Sequence, residues 1–318
     1  MKKATFLDLD TVGPDDLLLS SLKSLPLSWE FHHSTSPVEL LDRISNAEII
    51  VTNKCELDAE TLSHAHKLKY ICAAATGFNH IDIEAAKAKA VAVSNVRDYA
   101  TPSVVQHVYA LILALSTKLI KYNTAVQNGD WQRSEDFCLL DFPIEEVAGK
   151  KLGIIGYGIL GQAVAKVAPA LGMEVLVCQH QQDEPEPGRL VLDDLLATTD
   201  IISLHLPLNN QTANLIGERE ISLMKSQALL INTGRGGIVD ESALAKALRD
   251  GELGGAGVDV LETEPPTDGN PLLKANIPNL IITPHSAWAS RQSRQRLVDQ
   301  VADNISSFLA GEIVNRVR

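Results

Sequence analysis

Three polar side chains stand at positions where they could share one reaction. Arg235 lies in Asn232-Thr233-Gly234-Arg235-Gly236-Gly237, Glu264 in Asp259-Val260-Leu261-Glu262-Thr263-Glu264-Pro265, and His285 in Thr283-Pro284-His285-Ser286. An imidazolium can give up a proton near neutral pH. A carboxylate beside it favours the charged ring and fixes its orientation. A guanidinium presents a planar fork that grips a carboxylate and polarises a neighbouring carbonyl. Together they suit the reduction of a 2-keto acid, in which hydride reaches the carbonyl carbon and a proton reaches its oxygen. Each also has a plainer reading. Arg235 could be a surface salt-bridge partner, and Glu262 or Glu264 a solvated loop acid. His205, in Leu204-His205-Leu206-Pro207, competes with His285 and is expected instead to flank a cofactor.

A second motif supplies a place for that cofactor. Gly156-Tyr157-Gly158-Ile159-Leu160-Gly161 follows the apolar run Leu152-Gly153-Ile154-Ile155 and opens a helical pattern. The first glycine allows a tight turn, the second a close approach of backbone to a pyrophosphate, and the third close packing of helix on strand. The helix N-terminus then offers N–H groups and positive dipole to phosphate. Strand, turn and helix fall where a dinucleotide fingerprint requires them; a glycine-rich turn of an unrelated sheet and a methyltransferase cofactor loop are the competing readings. Where an acid would read the ribose 2′-hydroxyl, Cys178-Gln179-His180-Gln181 offers Gln179. It carries no charge to repel a 2′-phosphate, and no Arg is adjacent in sequence. NAD and NADP both stay open.

These groups need a scaffold, and the chain spells one. Short β-branched runs at 4–9, 47–52, 69–74 and 91–95 alternate with helical patterns at 37–45, 58–65 and 82–89. A long helix is expected from Thr101, with Thr101 as N-cap and Pro102 in the first helical position, to about Val126 before Asn128-Gly129. Strands then recur at 151–156, 174–178, 200–206, 228–232, 255–260 and 279–283. Helices are expected at 159–171, 192–197, 218–223 and 241–250, and a last one at 291–310 that packs back on the first unit. Residues 183–188 read as a surface loop. Alternating strands and helices imply parallel sheets covered on both faces. The fold class is α/β with two Rossmann-like domains. A doubly wound NAD(P)-binding sheet spans 99–289, and a separate, smaller α/β unit takes up 1–98 plus 290–318. Ligands of such sheets bind past the carboxyl ends of the strands, which is where Arg235, Glu264 and His285 fall.

Composition narrows the class. The 318 residues carry 28 Lys and Arg against 40 Asp and Glu, a net charge of −12. That balance disfavours nucleic acid and anionic membranes as partners. Cys55, Cys72, Cys138 and Cys178 show no metal-ligand spacing, and Cys72 and Cys178 read as buried thiols. His32, His33, His64 and His66 are expected to face solvent, and no metal site is expected. Asp8 and Asp10 interrupt the first apolar run, against a signal peptide, and the run 108–115 is short for a bilayer. A cytoplasmic protein is expected.

At these motifs the chain resembles the D-isomer-specific 2-hydroxyacid dehydrogenases over nearly its full length, and within them the glycerate dehydrogenases, or hydroxypyruvate reductases. The narrower likeness rests on Ala75-Thr76-Gly77-Phe78-Asn79-His80-Ile81-Asp82, on 99–107, and on His285-Ser286-Ala287-Trp288. The resemblance implies that backbone N–H groups at Thr76 and Gly77 bind the substrate carboxylate with Arg235. It places Val104 and Ala287 along the nicotinamide, Leu160 at the pyrophosphate, and Pro207, Thr212, Thr233 and Asp259 along the cofactor cleft. It implies that the smaller unit, 1–98 plus 290–318, is a flavodoxin-like substrate domain that closes over that cleft, and it implies a homodimer built through 101–147. Gln179 departs from the family's usual acid. The expected reaction is reduction of hydroxypyruvate or glyoxylate. Alternatives on the same fold are a dinucleotide-sensing corepressor-like protein and a formate- or phosphite-type dehydrogenase.

Overall fold

A computed structural model describes residues 1–179, 186–274 and 277–317. It divides the chain into two units, Met1–Ala100 with Trp288–Arg318, and Thr101–Ala287. Residues 183–185 of the expected surface loop lie outside the described residues, as do His180 and Gln181.

The first unit holds a five-stranded sheet of β1 (Lys2–Phe6), β2 (Leu27–Phe31), β3 (Ile49–Thr52), β4 (Tyr70–Ala73) and β5 (Ala92–Ser94). The order is β2-β1-β3-β4-β5, and every pair is parallel. This is the doubly wound order in which the chain reverses direction once beside its first strand. Alternate residues feed two separate cores. Phe6, Ile49, Val51, Tyr70 and Cys72 pack on one face with Leu297, Val298, Val301 and Ile305 of the helix Arg291–Leu309. Leu7, Ile50, Ile71 and Val93 pack on the other. The last helix therefore packs on the first unit, as expected. The pattern-based reading has no strand at Leu27–Phe31. Its Leu-Ser-Trp-Glu-Phe alternation fits an edge strand with one well-covered end, and period two is the signal that marks it.

The second unit holds β6 (Lys151–Ile155), β7 (Glu174–Cys178), β8 (Arg189–Leu190), β9 (Ile201–Leu204), β10 (Leu229–Asn232), β11 (Gly255–Val258) and β12 (Leu280–Ile282). The order is β12-β11-β10-β9-β6-β7-β8, all parallel. The reversal falls between β6 and β9, so a crevice opens beyond their carboxyl ends. The two-residue β8 is absent from the pattern-based reading; it is too short to leave a periodic signal. The helix Thr101–Ser116 lies against glycines of β11, where a Cβ on Gly257 would come within 3.0 Å of Leu111.

Two other expectations for this region are corrected. The long helix is not continuous to Val126: it breaks after Ser116 and resumes as Leu119–Gln127, bent by 62°. Lys118 sits at the break with φ 55°, a left-handed conformation that no helix continues through. Thr101 is already helical, and its buried hydroxyl has no hydrogen-bond partner, so it does not cap. Elsewhere, Cys178 is only partly buried, whereas Cys72 is fully so. His32 is only partly exposed: its Nε2 is covered without a partner, and burial holds its pKa below the usual value. Among the described residues no single helix is long and apolar enough to cross a membrane, and no cluster of His, Cys, Asp and Glu could hold a metal ion.

Candidate active site

The glycine loop shows why its residues are small. Gly156 has φ 94°, which favours glycine, and a Cβ there would lie 2.6 Å from the carbonyl oxygen of His205. A Cβ on Gly161 would lie 2.0 Å from the Gly156 oxygen. Both positions are closed by packing. Gly158 differs: it caps the helix Ile159–Val167 and nothing stands within 4 Å of where a Cβ would be. Open space over a helix N-terminus is what an anionic diphosphate needs. Leu160 is half-buried in the first turn. Further along the crevice, the hydroxyl of Thr233 and Nδ1 of His205 are buried without a partner. These orphaned polar atoms past β10 and β9, with the open glycine turn, fit a polar ligand lying along the strand ends.

His205 follows β9 and hydrogen-bonds Ser203 Oγ at 2.9 Å through Nε2. Burial lowers its pKa to about 4, so it stays neutral at physiological pH and is a poor rival to His285 as acid. Thr212 donates its hydroxyl to the Pro207 carbonyl at 2.6 Å, which closes the loop after β9.

Arg235 is exposed, and Nη1 donates to the Gly234 carbonyl at 2.7 Å. Among the described residues no carboxylate pairs with it in an ion pair. The loop that carries it is braced by Asn232, whose side chain donates to the Arg235 carbonyl at 2.9 Å and accepts from Gly234 N at 3.1 Å. Gly236 is pressed against the next loop: a Cβ there would lie 1.9 Å from the Leu261 oxygen. Gly236→Ala is therefore expected to destabilise the protein by about 1–3 kcal/mol. The melting temperature should fall by roughly 2–4 °C per kcal/mol, and the loop bearing Glu264 should shift with it. An unchanged melting temperature in calorimetry would contradict the contact.

Glu264 and His285, 21 residues apart, meet directly. Nδ1 of His285 lies 2.6 Å from Glu264 Oε2, and each side chain is one-third exposed. Glu264 Oε1 accepts from Leu261 N at 2.9 Å, so both carboxylate oxygens are engaged. His285 has φ 50°, a costly conformation for a non-glycine residue that persists where surroundings impose it. They do so here: its N–H donates to the Asp259 carbonyl at 2.7 Å. The Asp259 side chain, 1% exposed, accepts from Thr283 Oγ1 at 2.5 Å, Ser286 N at 2.8 Å and Ala287 N at 2.9 Å. Ser103 Oγ donates to the Ala287 carbonyl at 2.6 Å, and Val104 and Ala287 are both buried.

Sequence reasoning did not single out His107, whose Nε2 lies 2.9 Å from Thr283 Oγ1 and 3.6 Å from Asp259 Oδ1. Nor did it single out Glu241, which accepts from Glu262 N at 2.7 Å and so steadies the Glu264 loop. His107 lies three residues after Val104, one turn on along the helix face, and that spacing was a readable signal. No described hydrogen bond or ion pair joins Arg235 to Glu264 or His285. Thr76 and Gly77 belong to the first unit, where the Thr76 hydroxyl donates to Val96 O at 3.0 Å.

The sequence model of the "D-isomer specific 2-hydroxyacid dehydrogenase, NAD binding domain" matches residues 109–287. A protein of Methylorubrum extorquens named glycerate dehydrogenase is 45% identical over 317 residues, 99% of each chain. The chain belongs to the D-isomer-specific 2-hydroxyacid dehydrogenase family. A hydroxypyruvate reductase of Blautia hydrogenotrophica is 38% identical over 321 residues, again 99% of each chain. A crystal structure of a protein from Thermus thermophilus is 32% identical and superposes with TM-score 0.88, covering 99% of this chain and 100% of the other. This dehydrogenase is thus an oxidoreductase with a nicotinamide dinucleotide as cofactor, on the family's two-domain Rossmann-type fold.

Proposed function

We propose that this dehydrogenase reduces a small 2-keto acid, hydroxypyruvate or glyoxylate, to the 2-hydroxy acid, with His285 as general acid. The observation that carries the reading is the 2.6 Å contact between His285 Nδ1 and Glu264 Oε2. It commits one ring nitrogen to the carboxylate and leaves Nε2 to hold the transferable proton. When bound, the reduced nicotinamide supplies hydride to the carbonyl carbon. His285 gives its Nε2 proton to the carbonyl oxygen and becomes neutral. Glu264 orients the ring through its Oε2. Arg235, exposed and without a carboxylate partner among the described residues, grips the substrate carboxylate. Its positive charge makes a local exception in an acidic chain. Gly156, Gly158, Leu160 and Gly161 would hold the diphosphate, Gln179 the ribose, and Val104, His205, Pro207, Thr212, Thr233, Asp259 and Ala287 the remainder of the dinucleotide.

The likeness to relatives named glycerate dehydrogenase and hydroxypyruvate reductase favours hydroxypyruvate. The test is a panel of hydroxypyruvate, glyoxylate, pyruvate, 2-ketoisocaproate and phosphohydroxypyruvate with NADH and with NADPH, followed by loss of reduced-nicotinamide absorbance. Hydroxypyruvate should give the highest kcat/KM. Preference for 2-ketoisocaproate, or turnover of none of them, would overturn the assignment. We also assign a homodimer through 101–147, because Phe137 (90% exposed) and Leu140 (83%) leave apolar surface uncovered there. The four cysteines are free thiols, in keeping with a reducing, cytoplasmic setting.

A further inference from the structure

Gln179 follows β7 and carries no charge, so a cation that tells the two dinucleotides apart would have to be brought in by the fold. The sheet supplies one that sequence adjacency hides. β8 pairs parallel with β7, with Arg189 opposite Val177. The Arg189 guanidinium carbon stands 5.7 Å from the centroid of the Tyr157 ring, inside the glycine loop. Its Nε lies 2.7 Å from Glu186 Oε2. Glu186 in turn is tied to Gln179, whose Oε1 accepts from Glu186 N at 3.0 Å. Gln179, Glu186, Arg189 and Tyr157 thus form one linked group at the end of the second Rossmann strand, where the fold presents the adenosine ribose.

We infer that Arg189 reads the 2′-phosphate of NADPH, with Glu186 as the carboxylate that yields its place to that phosphate. The inference rests on the dinucleotide reading of the glycine loop. Tyr157 holds the guanidinium by a cation–π contact, so little ordering remains to be done when phosphate arrives. Three-quarters of the Arg189 side chain is covered, whereas Glu186 is 51% exposed and can swing into water. A dianionic phosphate offers the guanidinium more charge and more acceptor oxygens than one carboxylate does. Gln179 adds no repulsion. The protein therefore takes NADPH at least as well as NADH.

The experiment is calorimetric titration of the full chain with 2′-phospho-ADP-ribose and with ADP-ribose, which lack the nicotinamide and so leave His285, Glu264 and Arg235 out of the measurement. Arg189→Leu should weaken the phosphorylated probe by about 10-fold or more, the scale of a lost charge-assisted hydrogen bond, and leave ADP-ribose nearly unchanged. Arg189→Lys should fall between. Glu186→Gln should strengthen the phosphorylated probe, and added salt should shrink its advantage. If Arg189→Leu weakens both probes alike, Arg189 only props Tyr157 and the inference fails. If neither probe responds to Arg189, it fails again while the catalytic reading stands. If the unaltered chain binds neither probe, the dinucleotide site itself is misplaced and both fall.

Discussion

His285→Gln is expected to lower kcat by about 10²–10⁴-fold, the contribution of a positioned proton donor, with NADH and NADPH binding intact. Glutamine keeps a polar group of similar reach, so Glu264 retains a partner, but an amide cannot deliver a proton on the reaction's time scale. In the proposed reaction Glu264 works through the ring it meets at 2.6 Å. Glu264→Gln should therefore cost less than His285→Gln, and the double variant should be scarcely slower than His285→Gln alone, because two residues that act as a unit do not add. Single-turnover kinetics with preloaded reduced dinucleotide separate the chemical step from release. A His285→Gln protein with undiminished kcat would remove the proposed acid.

Arg235→Gln is expected to fall mainly on substrate. Removing one member of a hydrogen-bonded charge pair costs about 2–5 kcal/mol, or roughly 30-fold to several thousand-fold in kcat/KM at 1.4 kcal/mol per tenfold. Dinucleotide affinity should hold. Arg235→Lys should recover only part, since an ammonium keeps the charge and loses the planar fork. The folded protein should tolerate both changes, because the side chain is exposed and its described hydrogen bond is to the neighbouring Gly234 carbonyl. The check is steady-state KM for hydroxypyruvate together with inhibition by oxamate, a carboxylate that is not reduced. Unchanged KM and unchanged oxamate inhibition would make Arg235 a surface cation.

Much of the scaffold was readable because its causes are local. The helices Glu218–Leu223 and Glu241–Asp250 have the bounds their periodicity predicts. Asp240 caps the second through Ser242 N and Ala243 N, and Gly251 ends it in the left-handed region. Where one residue or two decided the outcome, pattern failed. Lys118 breaks a helix whose apolar composition continues on both sides. β8 is too brief to carry a period. Leu27–Phe31 is an edge strand whose alternation is real but half-exposed.

The sequence alone determined the turn at Gly156, the helix that begins after Gly158, and the placing of Arg235, Glu264 and His285 just beyond strand ends, because turn sterics and side-chain period act over a few neighbouring residues. Tertiary structure alone decided which of those ends touch. The pairing of β11 with β12 puts Asp259 under residues 283–287 and turns His285 toward Glu264. The pairing of β7 with β8 puts Arg189 beside the end occupied by Gln179. Such contacts depend on strand order and register, which are set by how whole faces bury together across the sheet; no short stretch of chain contains that information.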